Sequence, residues 1–210
     1  MDNHGLTYPR WQLRAKRLLD LLASGMLIVL ISPFWLLIVL WIRNDSPGPA
    51  IFKQTRVGLE GQPYTIYKFR TMVQNAEQAM KTKLENVKDL DDFVFQEKGD
   101  PRITRSGRFL RKTSLDELPQ LINVLIGNMS LVGPRPEVPE IVKKYTPEQH
   151  KRLSVPPGIT GLAQINGRGE LTLGETMDYD LQYVRDWKFW WDIEIIWKTV
   201  FVVFTGKGAY

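Results

Sequence analysis

The hydrophobic pattern is dominated by one apolar run, Leu21 to Ile42, about 22 residues without a charged side chain. That exceeds the roughly 18–20 residues needed to reach across a bilayer. Ser32-Pro33 divides the run into halves of similar length. Pro33 cannot donate to the Val29 carbonyl and its ring crowds it, so the pattern predicts a kink or break there. The Ser32 hydroxyl is a ready substitute donor. Both flanks are basic, with Arg10, Arg14, Lys16 and Arg17 before the run and Arg43, Lys53 and Arg56 after it. Positive flanks favour the cytoplasm. The expectation is therefore a re-entrant helix-break-helix in residues 1–45, turning at Ser32 and Pro33, with a Pro-kinked single span as the alternative. No small-x-small cleavage site follows the run, so it does not read as a removed signal peptide.

Residues 46–210 show shorter periods and read as a catalytic domain. Ala50–Val57 and Tyr64–Thr71 are rich in β-formers and flank a Gly-containing turn, predicting a hairpin. Residues 75–98 are charged, with Ala76, Met80, Leu84 and Val87 at helical spacing, predicting a surface helix and then a loop. Leu118, Leu121, Ile122 and Leu125 mark a helix ending at Gly127. Gly133–Pro139 reads as extended loop, Pro147–Leu153 as a short helix, Pro156–Gly174 as loop with extended pieces, and Leu173 onward as helix. Trp187, Trp190, Trp191 and Trp197, with lysines among them, suit a helix lying in the headgroup layer. The fold class expected is α+β, mostly helical, with interfacial amphipathic helices on a monotopic membrane protein.

Composition narrows the chemistry. The chain has 28 Lys and Arg against 23 Asp and Glu, a net charge of +5. That charge suits an anionic membrane lipid surface or a phosphorylated substrate; the positive residues are dispersed and match no nucleic-acid-binding motif. With no cysteine and only His4 and His150, thiolate sites and a Ser-His-Asp hydrolase are excluded or hard to build. Chemistry must run on carboxylates, Arg and Lys, with or without a hard metal ion.

Such residues concentrate in Arg108-Phe-Leu-Arg111-Lys112-Thr-Ser114-Leu-Asp116-Glu117-Leu-Pro119. One reading is structural: Ser114-x-x-Glu117 as a capping box with Asp116 in a first turn, or Pro119 as the first helical residue with Asp116 just outside. The other is catalytic. Asp116, ionised at neutral pH, attacks phosphorus without a general base, provided that cations offset the repulsion between anions. Pro134-Arg135-Pro136 presents a guanidinium from a stiff backbone, the natural clamp for phosphate. Gly161 to Gly169 surrounds Asn166 and Arg168 with small residues, and Lys68 stands at the hairpin end. Asp180 and Tyr183 are unremarkable on their own.

Together, Lys68-Phe-Arg-Thr-Met, Arg108-Phe-Leu-Arg, Ser114-Leu-Asp-Glu-Leu-Pro-Gln-Leu, Gly127-Asn-Met-Ser-Leu-Val-Gly-Pro-Arg-Pro136, Pro157-Gly-Ile-Thr-Gly-Leu-Ala-Gln164 and the Gly206-Lys-Gly-Ala-Tyr ending resemble the bacterial sugar transferases known as small monotopic phosphoglycosyl transferases. The resemblance implies transfer of a sugar 1-phosphate from a nucleotide diphosphate sugar, usually a UDP-sugar, to a polyprenyl phosphate at the cytoplasmic face of the inner membrane. It implies Asp116 as nucleophile beside Mg²⁺, Glu117 as its dyad partner, Arg111, Arg135 and Lys68 on phosphates, and Arg168 and Asp180 on the nucleotide sugar. It also implies the re-entrant form of the membrane helix. The rival is a non-catalytic membrane-anchored scaffold or binding protein. The sugar, the glycan pathway and the oligomeric state, monomer or homodimer, are open at this point.

Overall fold

The computed structural model describes residues 8–74, 76 and 99–205. His4, the helix expected within 75–98 and the last five residues lie outside these.

Helix α1 (Arg10–Asp45) is a single element of 36 residues, about 54 Å at 1.5 Å per residue. The break expected at Ser32-Pro33 is not present: the backbone stays helical through Pro33. Ser32 Oγ donates to the Val29 carbonyl at 2.9 Å, supplying the bond that proline cannot. One side of α1 carries Leu18, Leu22, Met26, Val29, Leu36 and Leu40, all exposed. Burial is confined to positions toward the two ends, Lys16, Asp20 and Ser24 near the start and Ile42 near the finish. Near its start, Lys16 donates to the Val132 carbonyl at 2.8 Å and Arg17 to the Val124 carbonyl at 2.7 Å. Near its end, Ile42 is buried with Ala50, Phe69 and Leu110, and Asp45 accepts from the Ser106 amide at 2.7 Å. Both ends of the helix therefore rest on one body.

Strands β1 (Ile51–Val57) and β2 (Pro63–Phe69) form the expected antiparallel hairpin, in a register that pairs Arg56 with Tyr64 and Phe52 with Lys68. Alternation places Lys68, Ile66 and Tyr64 on one face. Ile66 packs there on Val124 and Met129, while Asn123 accepts from the Tyr67 amide at 3.1 Å and donates to the Thr65 carbonyl at 2.7 Å.

Helices α2 (Arg105–Thr113) and α3 (Gln120–Leu125) follow. A parallel pair, β3 (Ser130–Val132) with β4 (Gly158–Thr160), joins a stretch to which the sequence assigned no element and one that read as loop with extended pieces. Glycines allow the close approach: a Cβ on Gly133 would lie 2.3 Å from the Pro156 carbonyl oxygen. Between these strands lie α4 (Pro139–Val142) and a turn of 3-10 helix at Gln149–Ser154. Helix α5 (Leu162–Asn166) leads to α6 (Leu173–Asp186) and α7 (Phe189–Thr205).

The C-terminal helix expected as one piece is thus two. Thr172 and Glu175 form a reciprocal capping box at the start of α6. The chain turns at Trp187, whose Nε1 donates to buried Asp192 at 3.0 Å; Lys16 and Tyr183 donate to the same carboxylate at 2.6 and 2.7 Å. A carboxylate this buried is tolerated because its lone pairs are filled. The four tryptophans divide accordingly. Trp190 and Trp197 are 72% and 63% exposed, whereas Trp187 belongs to the core and Trp191 packs against it.

Candidate active site

Helix α2 ends at Ser114, which adopts the left-handed conformation at φ 58°. Positive φ is costly for a residue with a Cβ and is found where surrounding structure enforces it. Here it swings the chain into a 3-10 turn, Leu115–Glu117, from which Asp116 and Glu117 project before Pro119 leads into α3. The capping box does not form: the Ser114 side chain makes no cap bond, and the Glu117 carboxylate is engaged elsewhere. Lys68 Nζ donates to Glu117 Oε1 at 3.0 Å, and an Arg135 amino group donates to the same oxygen at 2.9 Å.

The two acids differ in environment. Burial works to raise Glu117, yet Lys68 and Arg135 hold it well below the usual carboxylate range. Asp116, among the described residues, has no cation within ion-pair distance. Burial and the neighbouring Glu117 charge push it up to about 6, against the pull of Lys68 and Arg111. A carboxylate raised in this way is more basic than an ordinary aspartate. One carboxylate is pinned by cations and the other is left available.

Burial lowers Lys68 and Arg111, and the acids oppose that shift. Arg111 is oriented by its Nε, which donates to Thr71 Oγ1 at 3.0 Å. Lys68 and Arg135 thus meet on Glu117, and Arg111 lies close enough for its charge to act on Asp116. Asp180 does not. It is 1% exposed on α6 and paired with buried Arg152, so it lies behind the site and off the ligand-facing surface. Burial pushes Asp180 up to about 6 despite Arg152, which leaves the pair ionic at neutral pH. Arg168 begins a 3-10 turn, and its side chain lies outside the described atoms.

Sequence reasoning missed Arg56, Glu137 and Arg152. Arg56 read as a flank of the membrane run; its guanidinium instead donates to the Pro136 carbonyl at 3.0 Å. No local signal distinguishes Arg152, because the pairing partner Asp180 is 28 residues away.

A model of the bacterial sugar transferase family matches residues 11–206. The chain belongs to this family. It is 47% identical over 204 residues to a UDP-glucose:undecaprenyl-phosphate glucose-1-phosphate transferase of Klebsiella pneumoniae, covering 93% of this chain and 41% of that one. It is 44% identical over 199 residues to an undecaprenyl-phosphate galactose phosphotransferase of Salmonella typhimurium, again covering 93% and 41%. A Caulobacter vibrioides UDP-glucose:undecaprenyl-phosphate glucose-1-phosphate transferase is 43% identical, with 72% of its length covered. The chain spans about two fifths of the length of the first two relatives. Family membership accounts for the order of motifs from Lys68 to Gln164 and makes a purely scaffolding role the weaker reading of the dyad.

Proposed function

We propose that this sugar transferase moves a sugar 1-phosphate from a UDP-sugar to undecaprenyl phosphate through a covalent intermediate on Asp116. The observation that carries the reading is the unequal dyad: Glu117 is held by two cations while Asp116 is half-buried and available. A carboxylate oxygen of Asp116 attacks the phosphorus attached to the sugar. The bond from that phosphorus to the bridging oxygen breaks, and its electron pair leaves with the nucleoside monophosphate. An oxygen of the lipid phosphate then attacks the same phosphorus, the bond to Asp116 breaks, and the carboxylate is restored. Lys68, Arg111 and Arg135 offset the charge of the diphosphate throughout. Glu117 keeps Lys68 and Arg135 in place.

Mg²⁺ fits this donor set. Among the described residues no group of three or more acids or histidines could hold a metal alone. Magnesium typically takes one or two carboxylates and completes its shell with water and substrate phosphates. Asp116, with Glu117 beside it, would supply the protein oxygens. The ion would add charge neutralisation at the phosphates.

The deciding test is intact-mass measurement of purified protein incubated with UDP-glucose or UDP-galactose and Mg²⁺, without lipid. The expected result is a single adduct of sugar plus phosphate, absent when EDTA is present. Nucleotide release that occurs only once lipid is added would favour direct transfer.

The proposal places the protein on the cytoplasmic face, with α1 a continuous helix that bends at Pro33 so that both of its ends return to that side. Support comes from its two ends, which both pack on the polar domain, and from the exposed apolar side between them. A single crossing would carry one end across about 30 Å of hydrocarbon, away from the domain. The chain lacks cysteine, so Trp11→Cys and Asn44→Cys each give one thiol. Both are expected to resist an impermeant maleimide in intact cells and to react in inverted vesicles. Labelling of either from outside would show a crossing.

A further inference from the structure

The loop carrying Arg135 is supported from behind by charges with no assigned role. Two guanidinium groups hold consecutive carbonyls of its backbone: Arg56, on β1, donates to the Pro136 carbonyl at 3.0 Å, and Arg152, in the 3-10 turn before β4, donates to the Arg135 carbonyl at 2.7 Å. Each arginine has a buried acid. Arg56 lies 3.7 Å from Glu137, and Arg152 pairs with Asp180 and also donates to the Tyr145 hydroxyl. The Glu137 carbonyl accepts from the Val57 amide at 3.0 Å, fastening the loop to the hairpin. The cavity enclosed by Gly58, Pro134, Arg135, Glu137, Arg152 and Pro157 measures about 10 Å³. That is room for one water at most.

Such an arrangement is costly unless it achieves geometry. Burying two arginines and two acids gains little stability over packed apolar residues. A long guanidinium that must reach Glu117 and a substrate phosphate, however, is useful only if its backbone is fixed. Prolines at 134 and 136 limit φ at those residues but leave the loop free to move as a unit. The two arginines remove that freedom.

We propose that Arg56 is a positioning residue for Arg135, and that with Arg152 it forms a two-guanidinium support aiming Arg135 at the reacting phosphate. The inference rests on the reading of Arg135 as a phosphate-binding residue. Arg56 acts through the loop and touches no substrate, which makes its effect conditional on Arg135.

The test is a double-mutant cycle in lipid nanodiscs, with undecaprenyl phosphate and whichever of UDP-glucose and UDP-galactose the wild-type chain turns over. Arg56→Gln is expected to lower kcat/KM by about 10–100-fold, as loss of an orienting partner does. In an Arg135→Ala background the same substitution is expected to change it by less than about twofold. Losses that multiply in full would overturn the proposal and give Arg56 a contact of its own. Should Arg135→Ala alone leave turnover intact, the reading of the site fails instead. Hydrogen exchange needs no turnover: the amides of Arg135, Glu137 and Val138 should exchange faster in Arg56→Gln, and unchanged exchange there sinks the support role. Arg56→Lys, which keeps charge and one donor, is the milder variant in case Arg56→Gln does not fold. It is expected to shift both readouts in the same direction by less.

Discussion

Asp116→Asn is expected to reduce turnover by about 10³-fold or more, with the fold retained and no adduct on the protein. The amide is nearly isosteric with the carboxylate but is a poor nucleophile, and removal of a covalent nucleophile commonly costs this much or more. Retention of the fold follows from geometry. Among the described residues Asp116 has no cation within ion-pair distance, and its charge is opposed by burial and by Glu117, so replacing it relieves electrostatic stress. Unfolding by urea should therefore require at least as much denaturant as the wild type. Full activity in this variant would remove the nucleophile from the mechanism. Glu117 makes the contrast: its loss would free Lys68 and Arg135 together, disturbing with one substitution the two groups proposed to bind phosphate.

Asp180→Ala is expected to be the most destabilising single change among the residues considered, at about 3–5 kcal/mol. The Arg152 guanidinium, with its side chain 2% exposed, would remain buried without its carboxylate. At about 2–4 °C per kcal/mol for a chain of this size, the midpoint of thermal unfolding should fall by roughly 6–20 °C. The paired replacement Asp180→Leu with Arg152→Met should recover most of that stability, since two apolar side chains in a dry site often replace a buried ion pair without loss. Turnover should stay low in the recovered protein, because the Arg135 carbonyl would lack its donor. A loss below about 1 kcal/mol for Asp180→Ala, read from urea unfolding in nanodiscs, would mean that solvent reaches the pair after all. On the proposed reading these two substitutions separate the two aspartates: the charge of Asp116 serves the reaction, and that of Asp180 serves the frame.

Much of the site was legible because it is encoded in short, local groupings. Asp116 and Glu117 are adjacent, Arg111 lies one turn and a half before them, and Arg135 is marked by the prolines on either side. The hairpin was legible from two β-rich stretches around a turn, and its register then fixes the face on which Lys68 stands. The capping box at Ser114 was a false local signal. Its spacing was correct, but Glu117 found two cations from β2 and the Pro134–Pro136 loop, and a doubly paired carboxylate outweighs one bond to a helix amide. Asp180 was misplaced for a related reason. A motif match reports that an acid is needed at that position, without saying whether it faces ligand or holds another side chain.

The membrane helix shows the same division. Proline at position 33 correctly flagged a missing hydrogen bond, but the sequence could not weigh the Ser32 hydroxyl against a full break, and α1 stays helical. The β3–β4 pair was invisible because three-residue strands carry no period, and their pairing depends on glycines 25 residues apart in the chain.

By itself the sequence determined the reactive groups, the apolar segment and the family to which the chain belongs, since these depend on residue identity and short spacing. Only the tertiary structure decided which acid is paired and which is available, that both ends of α1 rest on one body, and that Arg56, Glu137, Arg152 and Asp180 stand together behind Arg135. Ion pairing and burial are set by side chains that meet from distant parts of the chain, and no local pattern specifies such meetings.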